Sequence, residues 1–196
     1  MKSITELLKH LFTDHYSQTS EGLVTRYHKG IIPFLTKKIS SVGYIRNGEK
    51  VGVWTTHYAS GTLKRTENFV NGKLDGQWKT YLENGQLSRK GHYKKGKRNG
   101  FEEWYSIHGK LAHRFHLKDG IQDGLFETYW DNGQISARGS YKNGKLEGFH
   151  EWNYEDGTIK RRQNFKNDLE DGVCETFNMQ GVLTKREFYK NGKLVK

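Results

Sequence analysis

The chain has 196 residues, of which 33% are hydrophobic and 28% charged, with a formal net charge of +11 and a mean hydropathy of -0.92. No apolar run reaches the length of a membrane span or a signal-peptide core, since Met1 to Phe12 is interrupted by Lys2, Glu6, Lys9 and His10. Cys174 is the only cysteine, which excludes an intramolecular disulfide. These features predict a cytoplasmic protein with an anionic partner: an acidic protein, an anionic membrane surface or a nucleic acid.

From the N-terminus, Ile4, Leu7, Leu8, Leu11 and Phe12 fall on one face of a helix over residues 3–16. Residues 1–20 are read as an amphipathic capping helix that covers the first sheet edge, with an interfacial membrane helix as the alternative. Residues 21–51 are read as a degenerate first repeat. Gly22 to Tyr27 looks like a repeat opening, but the next matching glycine, Gly52, follows late. An insertion is therefore expected around Ile31 to Ser41, beside the only proline, Pro33.

From Gly52 the chain is periodic. Gly52, Gly76, Gly100, Gly124, Gly148 and Gly172 are 24 residues apart, and Gly61, Gly85, Gly109, Gly133, Gly157 and Gly181 repeat that spacing. Residues 52–196 therefore read as six stacked β-hairpins, each burying its apolar face against its neighbours. Asn84-Gly85, Asn132-Gly133 and Asp156-Gly157 predict two-residue type I′ turns within the hairpins. A second turn at Asn71-Gly72, Asn143-Gly144 and Asn191-Gly192 leads to the next repeat.

That register sets Glu103 against Arg114, Glu127 against Arg138, Glu151 against Arg162 and Glu175 against Arg186, a ladder of ion pairs of structural purpose. Lys79 and Lys90 replace the pair in one repeat and are expected to form an unpaired basic site. Trp54, Trp78, Phe126 and Cys174 share a column, so the thiol is read as structural. Trp104 and Trp152 share another, and Trp130 lies with Tyr58 and Tyr154. These columns are expected to form mostly core.

No constellation reads as catalytic. His113 and His116 point to opposite faces of a strand, as do Glu102 and Glu103, and Lys95 to Gly100 is a basic turn rather than a phosphate loop. His92 and His116 share a column with Asn68, Ser140 and Asn164, read as a tolerant polar position. The expectation is a non-enzymatic array with no metal and no cofactor.

The segment Asn71 to Leu87, with its relatives Asn143 to Ile159 and Asp119 to Ile135, resembles the MORN repeat, and in particular its bacterial variant. The resemblance implies an elongated, mostly β, single-layer antiparallel hairpin array with a twisted open sheet. For function it implies a protein-binding array of the bacterial antitoxin or immunity type, which neutralises a partner toxin by covering it. A peripheral anionic-membrane or scaffolding array is the alternative, and nucleic acid ranks below both. The candidate partner contacts are Lys37, Lys38, Lys79, Lys90, Lys94, Lys95, Lys97 and Arg98.

Overall fold

The computed structural model describes residues 21–28 and 38–195. The predicted helix at 1–20, most of the predicted insertion, and Lys37 lie outside the described residues. The chain divides into two compact lobes, Met1–Gly85 and Gln86–Lys196.

The first lobe holds β1 (Glu21–Tyr27), β2 (Ile39–Arg46), β3 (Glu49–His57), β4 (Leu63–Val70), β5 (Lys73–Leu74) and β6 (Gly76–Tyr81). Each strand pairs antiparallel with the next, β5 being a short step between β4 and β6. Ile39 to Ser41 belong to β2, so the insertion ends earlier than the sequence suggests. His28 N–H donates to the Lys38 carbonyl at 2.9 Å. Val24, Trp54 and Phe69 form the core of this lobe, with Ile45 and Leu74 packed against them. The Trp54 indole lies on Gly43, where a Cβ would come within 2.1 Å of the ring, and its Nε1–H donates to the Tyr44 carbonyl at 3.0 Å.

The second lobe continues as β7 (Leu87–Lys94), β8 (Lys97–Arg98), β9 (Gly100–Tyr105), β10 (Leu111–Lys118), β11 (Ile121–Tyr129) and β12 (Ile135–Lys142). After these come β13 (Lys145–Leu146), β14 (Gly148–Asn153), β15 (Ile159–Lys166), β16 (Leu169–Phe177), β17 (Leu183–Lys190) and β18 (Lys193–Val195). It is the same antiparallel meander, as the hairpin periodicity predicts.

The turns exchange the roles assigned from sequence. Type I′ geometry needs positive φ at both central residues. It occurs between the repeats, at Asn71 (φ 47) and Gly72 (φ 71) and at Asn143 (φ 51) and Gly144 (φ 80). Inside the hairpins only the glycine is left-handed. Gly109 (φ 78) closes a loop in which its N–H donates to Ser106 O at 3.0 Å and Ser106 N–H donates to Lys110 O at 2.8 Å. Such a loop shifts the register by one residue. A bulge at Ala112 compensates, since Leu111 pairs with Tyr105 but His113 pairs with Trp104. Lys64, Ser136, Lys160 and Thr184 are bulged at the same place. Two departures from the expected loop cancel, so the expected ladder register is correct.

Between repeats the chain makes a second excursion. Phe115 pairs with Phe126 but Leu117 with Gln122, which leaves Asp123, Gly124 and Leu125 together opposite His116. His116 Nδ1–H donates to the Asp123 carbonyl at 2.6 Å. Asn68 donates to Asp75 O at 2.6 Å, and Ser140 donates to Glu147 O. Three members of the polar column thus act as donors that hold their excursions in place. Gly124 (φ 115) admits the close approach, since a Cβ there would sit 3.1 Å from the His116 side chain.

Within the second lobe, repeats are also tied to one another at both ends of their hairpins. Gly120 and Gly144 donate to the carbonyls of Arg98 and Gln122 at 2.8 Å, while Tyr154 Oη donates to Phe177 O at 3.0 Å.

Gly124→Ala is expected to cost about 2 to 3 kcal/mol, combining backbone strain with displacement of His116. Gly133→Ala, also left-handed but with open space around it, should cost only about 1 kcal/mol. Urea denaturation of the two variants measures the difference.

Candidate functional site

Strand alternation gives the second lobe two unlike faces. On one, the predicted ion pairs form part of a longer row. Successive strands bring Lys90, Glu103, Arg114, Glu127, Arg138, Glu151, Arg162, Glu175 and Arg186 into register as neighbours. The signs alternate throughout. Ionic contacts run within hairpins, as Arg162 to Glu151 at 3.3 Å and Arg186 to Glu175 at 3.5 Å, and between them, as Arg138 to Glu151 at 2.8 Å.

Lys90 is therefore not an unpaired site. Its Nζ lies 2.7 Å from Glu103, because the neighbouring repeat supplies the carboxylate that its own lacks. Bonds to Glu103 and Tyr105 hold the Lys90 ammonium above its ordinary pKa. Burial pushes the Glu103 carboxyl up, but Lys90, Tyr105 and Arg114 together overcome it and hold the group below the usual carboxylate range. Burial and the Glu127 carboxylate push the Tyr129 hydroxyl up to about 12.

The two signs sit at different depths. The ladder carboxylates of Glu103, Glu127, Glu151 and Glu175 are 5 to 30% exposed, whereas the five cations are 37 to 65% exposed. The surface is thus cationic, although the row is nearly balanced. Beside it, at the position after each leading glycine, Phe101, Leu125 and Phe149 stand 42 to 62% exposed, continued by Phe188 across from Val173. The Arg114 guanidinium stacks on Phe101 at 4.1 Å.

The basic residues singled out in the sequence do not form one patch. In the first lobe, Lys38 Nζ donates to Ser60 O at 2.8 Å, and Lys79 stands half-buried opposite Thr66. In the second, Lys94 and Lys97 oppose each other, exposed, across the Lys95-Gly96 turn. Arg98 instead reaches the other face, where it lies 3.3 Å from Glu102.

That other face carries the aromatic columns and two polar residues that the sequence reading did not place in them. Adding the 24-residue period to Trp54 and Trp78 lands on Glu102 and His150, which are 1% exposed in a column otherwise apolar. Glu102 accepts the Trp104 indole N–H at 2.8 Å. His150 is packed by Phe126, Trp152 and Phe165, with ring centroids 4.9 to 6.1 Å apart. Burial lowers its pKa against the carbonyls of Ser140 and Glu147, and Nε2–H donates to Ser140 O at 2.9 Å. Opposite lies Gly139, where a Cβ would come within 2.5 Å of the imidazole. Next to this pair opens a groove of about 760 Å³ with aromatic walls. Cys174 is buried in the same column, as read from the sequence. Among the described residues, no cluster of three or more His, Cys, Asp or Glu side chains is placed to hold a metal ion, and no helix is long and apolar enough to cross a membrane.

The profile described as the MORN repeat variant matches residues 50–71, 74–95, 122–143 and 144–167. Four segments of the chain thus match the MORN repeat variant, in agreement with the hairpin fold. The unmatched stretch 96–121 includes Glu102. No curated protein matches the chain in sequence. Among solved structures, it is similar to a mutant of TarM from S. aureus in complex with fondaparinux, α-GlcNAc-glycerol and UDP. The identity is 12% over 49% of this chain and 19% of that one, with a TM-score of 0.35. It is also similar to a structure of accessory secretory protein 1, 2 and 3 from Streptococcus pneumoniae, at 14% identity over 62% of this chain and 24% of that one, with a TM-score of 0.31. The chain spans less than a quarter of the length of either.

Glu151, nearly buried between two arginines, should be the rung most sensitive to truncation: Glu151→Ala is expected to cost about 2 kcal/mol and the more exposed Glu175→Ala about 0.5 kcal/mol. Because the folded pKa of Glu103 lies below its unfolded value, its contribution is complete above about pH 4.3 and lost as pH falls through the folded value. Glu103→Gln should therefore give a shallower acid limb in stability measured against pH.

Proposed function

We propose that this chain is a non-enzymatic protein-binding array and that its docking surface is the cationic, apolar face of the second lobe. The observation that carries this reading is the row Lys90, Arg114, Arg138, Arg162 and Arg186, raised above its carboxylates and flanked by Phe101, Leu125, Phe149 and Phe188. Arginine and aromatic side chains are the groups most enriched where binding energy concentrates in interfaces. Each guanidinium is anchored from below by a glutamate, so little side-chain freedom is lost when a partner covers it. With strands about 4.8 Å apart, cations on every second strand recur about every 10 Å, a fixed spacing that suits a protein surface bearing carboxylates.

The finer reading is an antitoxin or immunity-type protein that neutralises a toxin by covering its active surface with this face. It is supported by the resemblance to the bacterial repeat variant and by the extent of the surface. The exposed Lys94, Lys95 and Lys97 at one turn extend the cationic surface and steer an acidic partner toward it.

Peripheral attachment to anionic membrane is the competing reading, favoured by the same juxtaposition of cations and exposed apolar side chains. The two are separated by affinity capture from the native cell, run beside sedimentation with phosphatidylserine vesicles. The protein-binding reading expects a stoichiometric protein partner, captured at least tenfold less tightly by the Arg138→Glu variant, and indifference to the vesicles. Tight, salt-sensitive vesicle binding without any protein partner would overturn it.

A further inference from the structure

The aromatic face repeats one arrangement and omits it once. Register places Arg65, Arg89, His113, Ala137, Arg161 and Lys185 at the same position of successive hairpins. Ala137 alone among them has no cationic or titratable side chain. Three of these positions adjoin a tryptophan on the following hairpin: Arg65 lies over Trp78 at 5.6 Å, Arg89 pairs with Trp104, and Ala137 with Trp152. Beside Trp104 the place is filled, with the Arg89 guanidinium stacked 4.0 Å from the ring centroid. Beside Trp152 the same place is open, and it is there that the groove of about 760 Å³ lies, between Phe126, Trp130, Tyr141, Trp152 and Tyr154.

We propose that this groove binds a guanidinium from outside the chain, namely an arginine side chain of a partner protein, in the position that Arg89 occupies beside Trp104. Aromatic faces attract cations through their quadrupole, and a planar guanidinium also stacks on them. A second observation points to the same chemistry. One acceptor of the groove lining, Asn153 Oδ1, is buried without a hydrogen-bond partner. A guanidinium carries five donors and no acceptor, so it complements a lining with a surplus acceptor. Asn153 is oriented by its own amide, which donates to Ile135 O at 3.1 Å. Of the two charged residues at the rim, Lys160 already lies over the Tyr154 ring at 5.6 Å, leaving the exposed Glu155 as counter-charge. Arg161 stands over Trp152 at 5.7 Å but is bound to Glu170 at 2.7 Å. The groove is open and far larger than a guanidinium, which favours an arginine carried on a polypeptide over a small free cation. This site is on the face opposite the cationic row and shares with the preceding reading only a protein partner.

The test follows the tryptophan indole N–H resonances of the full chain during titration with N-acetyl-arginine amide, its neutral isostere N-acetyl-citrulline amide, and ethylguanidinium. The arginine derivative is expected to shift Trp152 and Trp130 saturably in the millimolar range, about tenfold more tightly than citrulline and more tightly than ethylguanidinium. Ala137→Arg should abolish the shifts by supplying the missing side chain. Arg89→Ala should open a second site and bring Trp104 into the response, which tests the proposal even if the Ala137 variant does not fold. Equal affinity for citrulline would reduce the site to an apolar groove, and equal affinity for ethylguanidinium would remove the polypeptide source. Either result, silence of Trp152, or an unchanged Trp104 in Arg89→Ala overturns the proposal. Because the probes replace any partner, failure here leaves the docking reading of the other face untouched.

Discussion

Everything on this sheet depends on keeping side-chain parity from one hairpin to the next. In a strand, neighbouring side chains point to opposite faces, so a slip of one residue would send a whole row to the wrong side. The loop closed by Gly109 introduces such a slip, and the bulge at Ala112 reverses it. The excursion at Asp123 and Gly124 adds two residues, which leaves parity intact, and His116 fixes it by bonding the Asp123 carbonyl. The 24-residue period is the length at which these corrections close.

Once parity holds, charge and packing follow from position. Glutamates and arginines alternate along one face because successive strands run in opposite directions with the same register. Stacked repeats then bury the shorter carboxylates beneath the longer guanidiniums, most fully at Glu151. A row that is nearly neutral by composition becomes cationic by depth. The aromatic face uses the same repetition differently: tryptophans lie against glycine or carry a cation, as Trp54 does with Gly43 and Lys50, and as Trp104 does with Arg89. The pattern is broken at Ala137, where the cation that Arg89 supplies beside Trp104 is missing beside Trp152.

Much of this was legible in the residues. The glycine period gave the hairpins, and the Glu and Arg columns gave the ladder and its register, because both depend on spacing alone. Turn type was not legible. Asn71-Gly72 and Asn132-Gly133 are the same dipeptide, and only the bulge at Ser136 beyond the second distinguishes a three-residue loop from a two-residue one. The pairing of Lys90 escaped because its partner, Glu103, belongs to another repeat. Glu102 and His150 were within reach of the column arithmetic that found Cys174, but their type argued against the buried place that Trp104, Gly139 and the flanking rings make for them. The groove depends on the absence of a side chain at Ala137, which becomes meaningful only beside Arg89.

Parity is tested most directly by excising one repeat. Removal of residues 124–147 joins the strand of Arg114 to that of Glu151 with every face preserved, and urea denaturation should show a cooperative transition with a slope reduced in proportion to the lost surface. Excisions one residue longer or shorter should lose that cooperativity, because every downstream side chain would face the wrong way. Equal cooperativity in all three proteins would contradict the account.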